Sequence, residues 1–139
     1  MKKILLVYLI LLGLFTACDP QESLDVFIKN STNTNLKVHF VSAQILLGIP
    51  DNTETLNIKS GERENYPEMS IFSPTSRVKL SLTNFDSIYI TNTTDDILKV
   101  YKAANAGKNI YDIKNYWTVK SVTKNHDEYT YEITNEDLD

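Results

Sequence analysis

The sequence predicts an all-β domain, a single antiparallel sandwich of about seven to nine strands. Three observations carry that expectation. Apolar and polar residues alternate in short runs, clusters of Asn, Asp, Gly and Pro separate the runs, and Thr, Ile, Val and Tyr are abundant after residue 18. Threonine, tyrosine and the branched aliphatics suit a pleated, half-buried surface, and asparagine supplies turn chemistry.

Leu24–Lys29 alternates with Leu24, Val26 and Ile28 on one face, and Leu36–Val41 with Leu36, Val38 and Phe40. The polar stretch Asn30–Asn35 between them reads as a turn, so the two runs are expected to form an antiparallel pair. His39 falls on the polar face. Gln44–Pro50 is apolar without a period, and is expected to be a buried crossing or, if exposed, a partner-binding loop at Ile45–Ile49. Thr55–Ile58, the turn Lys59–Glu62 and Arg63–Tyr66 follow, a pattern that resembles the edge hairpins of immunoglobulin-like sandwiches. Pro67 interrupts, and Met69–Phe72 resumes.

Arg77–Thr83 reads as a strand with Val78, Leu80 and Leu82 inward. Asp86–Thr91 reads as the next, with Ile88 and Ile90 on one face and Ser87, Tyr89 and Thr91 on the other. Ile97–Ala104 fits two structures. As a strand it turns Leu98 and Val100 inward and Tyr101 outward; as a short helix within 94–105 it aligns Ile97, Val100, Tyr101 and Ala104. Asn109–Asp112 reads as a turn of helix. Tyr116–Lys124 and Glu128–Ile133 form the last hairpin, closed by Asn125–Asp127, with Trp117 and Val119 on one face of its first arm. Tyr129, Tyr131 and Ile133 share a face of the second. The tail 136–139 is acidic and expected to fray.

The first eighteen residues are of another kind. Lys2 and Lys3 precede an apolar run from Ile4 to Phe15, and small Ala17 stands before Cys18, the only cysteine. This is the layout of an export signal, and the run is shorter than the ~20 residues a membrane span needs. Leu14-Phe15-Thr16-Ala17-Cys18 resembles the lipobox of bacterial lipoproteins, with Phe15 where leucine is usual. The resemblance implies cleavage before Cys18 and lipidation of that cysteine, which also accounts for a thiol without a disulfide partner. The expected organisation is a signal peptide at 1–17, the lipidated cysteine and a short tether at 18–23, and a β-sandwich domain at 24–135. Lipid on Cys18 would hold the chain to the membrane of a bacterial cell envelope, with the outer membrane as the expected location.

After cleavage 122 residues remain, carrying 12 basic and 18 acidic side chains, a balance of −6. That balance argues against nucleic acid as a partner and against docking on anionic lipid through a basic patch. Asp86-Ser87-Ile88 resembles the Asp-Ser/Thr-aliphatic site at which Bacteroidetes attach O-glycans, which makes Ser87 a candidate for modification. The motifs Asp86-Ser87-Ile88, Asn109-Ile110-Tyr111, Tyr116-Trp117 and Tyr129–Thr134 together resemble small uncharacterised lipoproteins of that group. The resemblance implies an exported β-domain on a lipid anchor and no particular activity.

Chemistry-bearing motifs are few. His39 in a strand and His126 in a turn read as solvated histidines without converging partners, and the four glycines form no phosphate loop. Asp95-Asp96 and Asp127-Glu128 lack the spacing of a calcium loop. No catalytic residue, metal ligand or cofactor site is assigned. The aromatics say more: six of the seven tyrosines beyond the signal, and Trp117, lie after residue 88. Tyr89 and, on the strand reading, Tyr101 would form an exposed aromatic strip that stacks on a glycan or anchors an envelope protein. The expected function is a binding or assembly module without catalysis. The alternative is a glycan-directed envelope hydrolase whose acids converge only in space.

Overall fold

The computed structural model describes residues 22–43, 53–67, 71–73 and 79–138. Among them, nine strands form two sheets whose inner faces share one core. β1 (Glu22–Asn30), β4 (Arg63–Asn65), β5 (Ile71–Ser73), β8 (Trp117–Thr123) and β9 (His126–Ile133) make the five-stranded sheet. Its order is β4-β1-β9-β8, with β5 pairing the start of β1. β2 (Leu36–Ser42), β3 (Glu54–Ile58), β6 (Phe85–Thr91) and β7 (Ile97–Tyr101) make the four-stranded sheet, ordered β3-β2-β6-β7. The all-β sandwich is therefore the architecture. One ladder departs from the antiparallel rule: β1 and β9 run parallel from Ser23↔His126 to Asn30↔Ile133. Parallel neighbours need a long connection, and here the rest of the domain supplies it.

The alternation places the core as expected in most strands. Leu24, Val26 and Ile28 of β1, Leu36, Val38 and Phe40 of β2, Ile88 and Ile90 of β6, and Tyr129, Tyr131 and Ile133 of β9 are all buried. Two aromatic clusters occupy the core. Phe40 stacks on Tyr66 at 4.2 Å between ring centroids, with Phe85 tilted against both. Tyr131 contacts Tyr101 edge-on at 6.1 Å and Trp117 at 5.4 Å. The Trp117 indole N–H donates to the Ile110 carbonyl at 2.7 Å, which satisfies its one polar atom.

Several expectations are corrected. β1 and β2 do not pair; they lie in opposite sheets and face each other through their apolar sides. Asn30 explains the crossing. Its buried amide donates to the Thr34 and Ile58 carbonyls and accepts from the Thr32 backbone N–H and hydroxyl, so every polar position is used in folding the chain over. β3 and β4 are edge strands of different sheets, so the turn at Gly61 (φ 77°) also crosses between layers. Residues 79–83 form no strand, although Leu80 and Leu82 are buried. The Gln44–Pro50 segment lies outside the described residues.

Residues 97–101 are a strand, and the helix alternative fails. The facing of that strand also differs, because a register shift between Ile90 and Thr91 admits an extra residue opposite β6. The shift turns Tyr101 into the core at 2% exposure and leaves Ile97 and Val100 outside. A helical turn does form, as α1 (Ile113–Tyr116), four residues after the expected place and capped by the Asp112 carboxylate. The closing hairpin turns at Lys124-Asn125, and His126 already belongs to β9. Trp117 is buried, but Val119 on the same face is 49% exposed. At the C-terminus, Asn135–Asp137 forms a 3-10 turn instead of fraying. Buried Asp137 accepts from Lys108 at 2.5 Å and from the Thr134 N–H at 2.7 Å, which ties the tail down. β1 starts at Glu22, so Glu22 and Ser23 belong to the domain and not to a tether.

Candidate functional site

The outer face of the four-stranded sheet carries a row of directly paired residues, Thr55 (β3), His39 (β2), Tyr89 (β6) and Val100 (β7). His39 and Tyr89 stack with centroids 4.4 Å apart and planes 7° apart. The imidazole is bonded at both nitrogens, Nδ1 to the Thr55 hydroxyl and Nε2 to the Thr91 hydroxyl, each at 3.0 Å. Burial lowers its pKa below the ordinary 6.5, Asp95 acts the other way, and Lys37 adds to the lowering. His39 is thus a bonded strut between strands and not a free, solvated base. The strip expected from Tyr89 and Tyr101 does not form. Tyr101 is buried, where burial raises its pKa, and one face of the half-buried Tyr89 is occupied by His39. Ser87 lies half-buried on β6 beside Val41.

A groove of about 660 Å³ opens between residues 80–83 and the segment 103–116 that links β7 to β8. Ser81, Thr83, Asn105, Tyr111, Asp112 and Tyr116 line it. One buried amide shapes its wall. Asn109 Nδ2 donates to the Lys102 and Asn105 carbonyls, and its Oδ1 accepts from the Tyr111 N–H. Gly107 (φ 85°) completes the same loop in a conformation that suits only glycine well. The Tyr111 hydroxyl donates to the Phe85 carbonyl at 3.2 Å, and burial with help from Asp86 pushes its pKa up to about 12. Tyr116, 36% exposed, offers a more open ring. The wall therefore combines two aromatic rings with hydroxyl, amide and carboxylate groups. Sequence reasoning missed it because the groove is built by the 102–112 loop, which has no periodicity to read.

On the outer face of the five-stranded sheet, His126 sits beside a hydroxyl and an acid. Ser23 Oγ is 2.7 Å from its Nδ1, and Asp25 Oδ2 is 3.4 Å from its Nε2. Ser23 pairs with His126 across the parallel β1–β9 ladder, and Asp25 lies one outward position further along β1. The expectation of a solitary, solvated His126 is corrected by this cluster. The alternation of β1 carried half the signal, since Ser23 and Asp25 must share the outward face; the register with β9 was not legible. A polar cleft of about 210 Å³ borders Ser23, with Lys79 and Lys124 among its lining residues.

Among the described residues, no three His, Cys, Asp or Glu side chains gather as a metal site, and no helix is long and apolar enough to cross a membrane. Cys18 lies outside the described residues. No family model, curated protein or solved structure matches the chain.

Proposed function

We propose that the protein is a lipid-anchored module of a bacterial cell envelope, held by acylated Cys18, that binds a neutral glycan in the groove at Tyr111 and Tyr116. The groove carries the binding half of this reading. Rings give sugar faces a stacking surface, while Ser81, Thr83, Asn105 and Asp112 offer the donors and acceptors that hydroxyls need. The acidic balance of the chain beyond the signal favours neutral over acidic glycans at low salt. The anchor rests on the signal layout, the lipobox resemblance and the lone cysteine.

The binding test is a glycan screen with the full chain purified in detergent, followed by titration of any hit. Tyr116→Ala is expected to weaken binding about tenfold, the ~1.4 kcal/mol of a lost stacking contact. Tyr89→Ala, outside the groove lining, is expected to bind within about twofold of wild type by the same scale. An empty screen, or an unchanged Kd for folded Tyr116→Ala, overturns the assignment of the groove. The anchor is tested separately. Cys18→Ala is expected to accumulate as precursor or leave the membrane fraction, and a processed variant that stays membrane-bound would remove the lipid from the proposal.

A further inference from the structure

We propose that Ser23, His126 and Asp25 form a nucleophile, base and acid that hydrolyse solvent-accessible carboxylic esters. The proposal goes beyond glycan binding and does not rest on the groove. It begins from strand geometry. Leu24, Val26 and Ile28 point into the core, so Ser23 and Asp25 share the outward face of β1. The parallel register then sets His126 beside Ser23, near enough for its ring to contact both neighbours.

The two contacts differ in kind, and the difference orients the ring. The Asp25 carboxylate faces Nε2 and favours the tautomer with its proton there. Nδ1 is left to accept from the Ser23 hydroxyl at 2.7 Å, the distance a general base needs. The roles of the two ring nitrogens are interchanged relative to the familiar serine-hydrolase arrangement, and the proton chemistry is the same. The cluster stands on the outward face, whereas Glu22, Ser121, Asp127 and Tyr129, the other strand residues of the 210 Å³ cleft, alternate to the inward side; a substrate would approach Ser23 from open solvent.

The step balances with water as the only co-reactant. Ser23 Oγ attacks the ester carbonyl carbon as its proton passes to Nδ1. The tetrahedral oxyanion collapses, the bond to the ester's alkoxy oxygen breaks, and Nδ1 returns the proton to the departing alkoxide. Water then attacks the acyl-serine, giving a proton to Nδ1; the bond to Oγ breaks, Ser23 recovers its hydrogen, and a carboxylic acid leaves. His126 is the proton carrier, and Asp25 is a positioning residue.

The test is phosphonylation of the full chain, in detergent, by an alkyl fluorophosphonate, with the adduct mapped by peptide mass spectrometry. A single adduct on Ser23 is expected. His126→Gln, which keeps a hydrogen-bonding side chain but cannot carry the proton, should slow it on the order of a hundredfold or more. Asp25→Asn should also slow it, and Asp25→Glu should restore part of the rate. Circular dichroism establishes that each variant is folded. Absence of an adduct on Ser23, or equal rates in wild type and folded His126→Gln, overturns the proposal. Equal losses in Asp25→Asn and Asp25→Glu overturn the role given to that carboxylate.

Discussion

His39 and His126 hold matching positions on opposite sheets, each turned outward from a strand whose other face builds the core. What surrounds them differs. His39 spans two neutral hydroxyls, from Thr55 and Thr91, and lies flat against Tyr89. His126 lies between a hydroxyl and a carboxylate, from Ser23 and Asp25. The first ring has both nitrogens engaged by neutral groups and resists taking a charge. The second has a carboxylate at one nitrogen and, at the other, a hydroxyl placed to supply a proton. Strand alternation turns both histidines outward, whereas register with neighbouring strands decides which can do chemistry.

Both faces depend on one core, so the comparison breaks most completely when the core is damaged. Phe40 is fully buried between Tyr66 and Phe85, and Phe40→Ala is expected to cost about 3–5 kcal/mol. Urea denaturation should show a lower midpoint, with groove and Ser23 chemistry lost together. A loss under about 1 kcal/mol would mean the two sheets do not share this core.

The next effect separates the C-terminal tail from both faces. Asp137 is 8% exposed at its side chain and pairs with Lys108 at 2.5 Å. Burial pushes its pKa upward, but Lys108 and the Thr134 N–H and hydroxyl outweigh burial and hold it below 3.8. A depressed carboxylate contributes stability that is present above its unfolded pKa and lost as pH falls through the folded one. Asp137→Asn is expected to cost roughly 2 kcal/mol near pH 7, between the values for exposed and buried pairs. The cost should shrink below about pH 4 as the wild-type carboxyl takes its proton. A pH-independent difference would contradict the ion pair as its source.

A smaller effect sharpens the contrast at His39 itself. Its folded pKa lies below 6.5, so its contribution is greatest above that pH and declines as pH falls toward the folded value. His39→Gln should therefore flatten the stability curve on the acid side of pH 6.5, where the wild-type ring resists its proton. An unchanged slope would show that this ring is freely protonated in the fold. The smallest change is Tyr101→Phe. The buried hydroxyls of Tyr101 and Tyr131 interact with each other but make no well-formed hydrogen bond among the described residues, so removing one should change stability by under about 1 kcal/mol.

The sandwich was legible wherever a strand has one apolar face, as in β1, β2, β6 and β9. Long-range choices were not. Nothing local distinguishes a hairpin between β1 and β2 from a crossing, because either buries the same Leu, Val, Ile and Phe side chains. Asn30 decides it through bonds that reach Ile58. Tyr101 was misplaced because a bulge opposite Thr91 reverses the facing of β7, and period-two reasoning has no term for an inserted residue. The Ser23–His126 contact joins residues 103 positions apart through a parallel ladder, so no motif could announce it. The groove was equally hidden, because its wall is a loop stapled by Asn109 and not a periodic element.

The most direct test of the contrast between the two faces compares His126→Gln with His39→Gln in one fluorophosphonate experiment on the full chain. The expected result is an adduct on Ser23 that forms on the order of a hundredfold more slowly in His126→Gln. In His39→Gln the same adduct should form within about twofold of the wild-type rate, well inside the effect of a lost base. Equal rates in the two folded variants, or an adduct spread over several hydroxyls with none preferred at Ser23, would contradict it.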